Sequence, residues 1–225
     1  NLTFNQARVY NLGGNVGESY TGIAVGRSQN NTTVNNVHVT KSSVTGTTRV
    51  GGIVGYNYRR IKTGIDEKLA IVSNCTTDED TSISGSSSEV GGICGNSYGA
   101  AIIRCVNNAD VTGSSNVGGI AGHHREYYKT HVNSYIIECI SSEKATITAK
   151  ATNGIAGGLL GYSTSDRSGH PLAISYVVGS YSLSEVSAFQ HIPASSPIIE
   201  IGLSIVYLCI VTFPIIHNPL LLLLQ

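Results

Sequence analysis

Val117-Gly118-Gly119-Ile120-Ala121-Gly122 is one copy of a pattern that keeps returning along the chain. It recurs as Val50-Gly51-Gly52-Ile53-Val54-Gly55, as Val90-Gly91-Gly92-Ile93-Cys94-Gly95 and, altered, as Ala156-Gly157-Gly158-Leu159-Leu160-Gly161. A degenerate copy, Thr21-Gly22-Ile23-Ala24-Val25-Gly26, precedes them. Repetition of this kind decides the fold before local propensity does. Paired glycines followed by an aliphatic residue and a third glycine make a poor helix, because each glycine costs roughly 1 kcal/mol there. Inside a strand, glycine marks a bulge or the close approach of another backbone. Glycine at the same place in every copy predicts copies stacked glycine over glycine.

The last glycines of the motifs stand at 26, 55, 95, 122 and 161, giving units of 29, 40, 27 and 39 residues. The short units set a period near 28, and the long ones are expected to carry an extra loop just after the glycine strand. Residues 57–69 (Tyr58, Arg59, Arg60, Lys62, Asp66, Glu67, Lys68) form one expected insert, and residues 123–134 (His123, His124, Arg125, Glu126, Lys129, His131) the next. Insertions at a constant repeat position map to loops on one face of a solenoid.

A second beat follows each glycine strand: Val37-His38-Val39, Ile71-Val72-Ser73-Asn74-Cys75, Ile102-Ile103-Arg104-Cys105, Ile136-Ile137-Glu138-Cys139 and Ile174-Ser175-Tyr176-Val177. A third reads Val44-Thr45-Gly46, Ile83-Ser84-Gly85, Val111-Thr112-Gly113 and Ile147-Thr148-Ala149. Alternation and β-branched side chains favour strand over helix. The prediction is an all-β parallel β-helix (β-solenoid) of about five coils with three short strands per coil, roughly 24 Å long at 4.8 Å per layer.

Among 225 residues only 12% are charged and the net charge is zero, which argues against nucleic acid as a partner. Met and Trp are absent, and the chain begins at Asn1. Neither a charged n-region nor an apolar h-region opens it, so any signal peptide is expected outside this segment, and the chain reads as a fragment or processed product.

The combination Val-Gly-Gly-Ile-x-Gly, Ile-x-x-Cys and Val-x-Gly resembles the GLUG repeat over roughly residues 10–182, most closely at 50–122. Such repeats occur in bacterial surface adhesins and in non-catalytic regions of large IgA-cleaving metallopeptidases. The first unit lacks the second glycine and the Cys, and in the fifth Tyr176 or Val178 takes the Cys place. The resemblance implies a surface-displayed β-solenoid and supplies no catalytic residue.

Residues 1–182 are thus expected to be solenoid, and 183–197, with Gln190, His191, Pro193 and Pro197, a linker. Residues 198–225 are an apolar tail expected to be helical, long enough to span a bilayer or to serve as a removed anchor signal, and the source of any membrane contact. A tail that is not native to the protein is the remaining alternative.

Cys75, Cys105 and Cys139 share one repeat position and should stack as a buried inward column, since free Cys behaves as a small hydrophobe. Stacked layers would allow one disulfide on Cα distance. Their spacing fits no zinc pattern, so no metal or other cofactor is expected. His123, His124 and His131 read as a solvated loop, and Asp78-Glu79-Asp80 as a solvated turn. No G-x-S-x-G elbow is present, and the carboxylates fall at unlike repeat positions, so the chain is not expected to be an enzyme.

Tyrosine is the informative aromatic, with 12 copies against 3 Phe. Tyr56, Tyr58, Tyr98, Tyr127, Tyr128 and Tyr162 follow the last glycines closely and are the candidate ligand-binding residues, against plain stacking between coils. Rings with polar tips suit sugar or protein. The expected function is a non-enzymatic extracellular or cell-surface stalk or adhesin segment, whose partner is a host or cell-surface protein or glycan. Alternatives are the non-catalytic module of a larger surface peptidase and a polysaccharide-active β-helix enzyme.

Overall fold

The computed structural model describes residues 1–11, 19–59, 68–125, 133–164 and 175–188. Regular structure within them is all β, and every pairing between strands is parallel. The strands form five stacked sheets, visited in the same order by each coil. Sheet I holds Leu2–Asn5, Val37–Thr40, Thr76–Thr77, Val106–Asn107, Ile140–Ser141 and Tyr181–Ser182. Sheet II holds Arg8–Tyr10, Ser43–Gly46, Ser82–Gly85, Asp110–Gly113, Thr146–Ala149 and Glu185–Ala188. Sheet III contains Thr21–Gly22, Val50–Gly51, Ser88–Gly91, Ser115–Gly118 and Ala156–Gly157. Sheet IV contains Val25–Gln29, Val54–Tyr58, Cys94–Tyr98, Ala121–Arg125 and Leu160–Thr164, and sheet V Thr33–Asn35, Ile71–Ser73, Ala101–Ile103, Ser134–Ile137 and Ser175–Val178. The described chain therefore makes five coils and opens a sixth.

The parallel β-solenoid read from the repeats is the observed fold, with two corrections. Each coil has five strands, not three, because two of the expected runs are bent. The glycine run breaks where Ile53 N and Val54 N both donate to Ile93 O of the next coil, which turns the chain from sheet III into sheet IV. The second run breaks at a residue with left-handed backbone: Asn36, Asn74, Arg104, Glu138 and Gly179 have φ between +51° and +59° and turn sheet V into sheet I. The second correction concerns the end of the coil. Glu185–Ala188 pairs in register with Thr146–Ala149, so the ladder runs past residue 182 into the expected linker. The tail at 198–225 lies outside the described residues.

Inward side chains form continuous columns, because in-register parallel pairing puts like residues over like. Val9, Val44, Ile83, Val111, Ile147 and Val186 line the inside of sheet II, and Val34, Val72, Ile102, Ile136 and Val177 that of sheet V. Ile53, Ile93 and Ile120 fill the glycine corner, wholly buried. Each such side chain contributes roughly 2 kcal/mol relative to exposure.

The glycines are there for space. A methyl at Gly52, Gly92 or Gly119 would collide with the carbonyl oxygen of the matching glycine one coil on. Across the core it would strike Thr77, Asn107 or Ser141, a buried polar file of sheet I. That file is tied by Thr77 Oγ1 donating to Asn107 Oδ1 at 2.7 Å. Gly51, Gly91, Gly118 and Gly157 face the carbonyl three residues ahead, while Gly55, Gly95, Gly122 and Gly161 press on backbone of the preceding coil.

Candidate functional site

Sheet IV carries the polar and aromatic residues that the repeat places beside the glycine corner. Position by position, Arg27, Tyr56, Asn96, His123 and Tyr162 stack in one row, each immediately after a motif's last glycine. Two residues on, Gln29, Tyr58, Tyr98, Arg125 and Thr164 stack in a second row. Between them Ser28, Asn57, Ser97 and His124 form a file buried to 2% exposure or less.

The outer rows assemble an aromatic ladder. Ring centroids of Tyr20 and Tyr56 lie 5.1 Å apart, Tyr56 and Tyr58 5.2 Å, and Tyr58 and Tyr98 5.5 Å, all stacked. Guanidinium groups sit against these rings: Arg49 at 5.2 Å from Tyr20 and Tyr56, Arg27 at 5.6 Å from Tyr20 and Tyr58, and Arg125 at 4.1 Å from Tyr98. Contacts of this kind contribute about 0.5–1 kcal/mol each where solvent reaches them and more where it does not. Burial pushes the Tyr56 hydroxyl above its ordinary range, keeping the ring neutral.

Beside the ladder runs a charged tie through four coils. Arg49 Nε donates to Glu89 Oε2 at 2.8 Å, and His123 Nδ1 lies 3.1 Å from Glu89 Oε1. With Nδ1 donating to the carboxylate, Nε2 of a neutral ring accepts from Thr164 Oγ1 at 2.9 Å. Burial alone would raise the Glu89 carboxyl. The His123 hydrogen bond, the facing Asn96 amide and the Arg49 charge outweigh burial and hold it at about 2. The Asn96 amide does this by proximity, since neither of its polar atoms has a hydrogen-bond partner of proper geometry among the described residues.

His124 behaves oppositely. Wholly buried, next to His123, and with neither ring nitrogen bonded to a described residue, it is pushed down to about 3 and stays neutral. In the same file Asn57 Nδ2 donates to Ala70 O and Ala101 O, closing the corner toward sheet V.

These positions correct the loop reading of the histidines. His123, His124 and Arg125 belong to the strand Ala121–Arg125, and His123 is 7% exposed. Repeat arithmetic carried the signal, because each histidine stands at the same distance past its glycine as Tyr56 and Asn57. The expected insert at 57–69 starts late for the same reason, with Asn57 and Tyr58 in a strand. Of the candidate tyrosines, Tyr56 and Tyr98 are buried at 8% and 7%, Tyr58 is half-buried and Tyr162 is exposed at 40%. Tyr127, Tyr128 and His131 lie outside the described residues. Tyr20, Arg27, Arg49 and Glu89 escaped the sequence reading, although Arg49 and Glu89 share the position before the motif valine.

Cys75, Cys105 and Cys139 stack as free, fully buried thiols on the inside of the corner between sheets V and I. Burial pushes Cys105 well above its ordinary value. In the fifth unit the column continues as Ser180, not Tyr176 or Val178, and Cys139 N donates to Ser180 Oγ at 2.9 Å. Asp78 organises the expected acidic turn, accepting from Lys41 N and Thr81 Oγ1, while Glu79 pairs with Lys144 at the surface.

No family model matches the sequence, and no curated protein matches it. Among solved structures, a crystal structure from Bacteroides ovatus provisionally described as an immunoglobulin A1 protease superposes with a TM-score of 0.56 at 23% identity. The match covers 82% of this chain and 50% of that one, so the chain spans about half the length of the solved structure. The likeness shows the shared solenoid fold.

Proposed function

We propose that the chain is a non-enzymatic β-solenoid module of a secreted or surface-displayed protein, of the GLUG-repeat kind, that presents one edge to a protein or glycan. The observation that carries this is the placement of long connections. Between sheets IV and V the chain takes 12 residues in the second coil (59–70), 8 in the fourth (126–133) and 10 in the fifth (165–174), against 2 in the third (99–100). All three leave the same edge, directly beyond the Tyr–Arg rows; one further long connection, 11–20, joins sheets II and III in the first coil. A rigid rod with variable loops on one edge is a display scaffold, since binding residues concentrate on loops held by a fixed frame. The exposed Tyr162 and the half-buried Tyr58 are the rungs available to a ligand, with Tyr56 and Tyr98 stacked on Tyr58 and His123 against Tyr162.

The test replaces residues 59–70 by the two-residue connection Gly99-Ala100 of the third coil and probes glycan arrays and epithelial cells. Binding by the full chain, lost in the shortened variant at an unchanged melting temperature, supports the reading. Equal binding by both, or none by either, removes it. A second reading, the non-catalytic module of a larger surface peptidase, is favoured by the fold of the Bacteroides ovatus structure. A H-E-x-x-H helix encoded beside this segment would select it.

A further inference from the structure

We propose that the outer face around the corner between sheets V and I, over the third to fifth coils, is a contact surface for a second copy of this chain. Outward positions of a solenoid are free to be polar, and sheet II uses that freedom. Its outward residues from the second coil to the fifth are Ser43 and Thr45, Ser82 and Ser84, Asp110 and Thr112, Thr146 and Thr148. Sheets V and I start the same way and then change. The outward row Asn35, Ser73 continues as Ile103, Ile137, Val178, and the row Thr3, His38, Thr76 continues as Val106, Ile140, Tyr181. Val178 is 42% exposed and Tyr181 41%, and the four residues beside them are half-buried. The fold does not require this change, since the inward neighbours Ile102, Ile136 and Cys139 already fill the core. A contiguous apolar patch of this kind marks an interaction site.

Charge selects the occupant. On the ridge between the two apolar rows stand Arg104 and Glu138, both exposed and one coil apart. Among the described residues neither makes an ion pair. A two-fold axis passing between them sets the rods antiparallel and lays Arg104 of each copy against Glu138 of the other. The same axis brings Ile103 of one copy onto Ile137 of the other, so a single operation satisfies charge and apolar surface together. That self-complementarity is what an isologous dimer requires. The chain's own tail at 198–225 is the rival occupant; it carries a single carboxylate, Glu200, and no Lys or Arg, so it offers nothing for Glu138 to recognise.

Sedimentation velocity of the full chain over a concentration series tests the proposal, with circular-dichroism melts to check folding. The expected result is a monomer–dimer equilibrium weakened about tenfold or more by Ile137→Glu, as for loss of a central contact. Arg104→Glu should weaken it as well, and Arg104→Glu combined with Glu138→Arg should restore it. The exchange is benign for the backbone, because both residue types already occupy that column at φ near +50°. If Ile137→Glu lowers the melting temperature, Val178→Lys at the more exposed position takes its place. A monomer at every concentration overturns the proposal. So does an association indifferent to Ile137→Glu, as tail-driven assembly would be, a double exchange that fails to restore it, or an equal effect from Thr148→Glu on sheet II.

Discussion

At the corner between sheets III and IV, Gly52, Gly92, Gly119 and Gly158 face a carbonyl on the next coil, a side chain across the core, or both, and no Cβ fits. At the corner between sheets V and I, Asn36, Asn74, Arg104 and Glu138 carry side chains through a left-handed turn, and only the last coil uses Gly179. Both corners recur in every coil and turn the chain from one sheet into the next. They differ in what lies over the Cβ. From the second coil onward the first corner is limited by space and holds glycine, the first coil carrying Ile23 at that place. The second is limited by backbone strain, a matter of about 1 kcal/mol per residue, and accepts amide, cation or anion alike. A repeat motif records the first kind of limit clearly and the second hardly at all.

The strongest test of this contrast is Gly119→Val. The new side chain would meet Gly158 O, held by the ladder, and Ser141 Cβ, fixed to the backbone of sheet I across the core, so neither can yield without shifting a coil. A loss of about 4 kcal/mol or more is expected, at the far end of single substitutions, read by urea denaturation. An unchanged midpoint would end the steric account.

Acid should act next, and chiefly on the glycine side. Glu89 sits at about 2 instead of its ordinary 4.5. A depressed carboxyl stabilises the fold fully above its ordinary value and loses that contribution as pH falls toward 2, roughly 3 kcal/mol in all. His124 is held neutral down to about 3 against an ordinary 6.5, so the unfolded chain takes up its proton first and stability falls as pH drops below 6.5. At the thiol corner burial moves Cys105 further from that range, while the hydrogen bond to Cys105 draws Cys75 down to about 7, at the upper edge of it. The urea midpoint should therefore decline from pH 6.5 downward. His124→Asn, the residue type found at position 57 of the same file, should flatten the curve between 6.5 and 4.5, and Glu89→Gln the part below. A decline untouched by both substitutions would mean that other groups carry it.

How far the sequence could be read follows the same division. The stacking, the parallel ladder and the inward cysteine column were legible, because each rests on residues that repeat in kind. Five strands instead of three were hidden, because the second corner is written in a column of Asn, Asn, Arg, Glu and Gly, which share a conformation and no chemistry. The Arg49–Glu89–His123–Thr164 tie was hidden more deeply. Each coil supplies one different member, and register alone brings the four together.

A smaller effect is expected inside the second corner. Cys105→Ala removes one buried sulfur between Cys75 and Cys139 and should cost about 1 kcal/mol, near the centre of measured substitutions, because Ser180 shows that the column takes a smaller residue. Alkylation of the native protein should spare Cys75, Cys105 and Cys139, each without exposed surface, while the denatured chain reacts at all three. Rapid native labelling would place the thiols outside the core.

Gly179→Asn should do least, and it sharpens the comparison because it also replaces a glycine. A Cβ there would lie 3.5 Å from Glu138 Cγ, an ordinary contact, and 4.0 Å from Glu138 N. The backbone is already where asparagine goes: φ is +59° at Gly179 and +59° at Asn36, the same corner of the first coil. Left-handed geometry costs asparagine less than other residues, while removing glycine restricts the unfolded chain by about 0.4–1 kcal/mol in favour of folding. The two terms nearly cancel, so the urea midpoint should move by less than about 0.5 kcal/mol in equivalent stability. A loss comparable to that of Gly119→Val would show that the second corner is also limited by space, and that its mixed column of side chains has another cause.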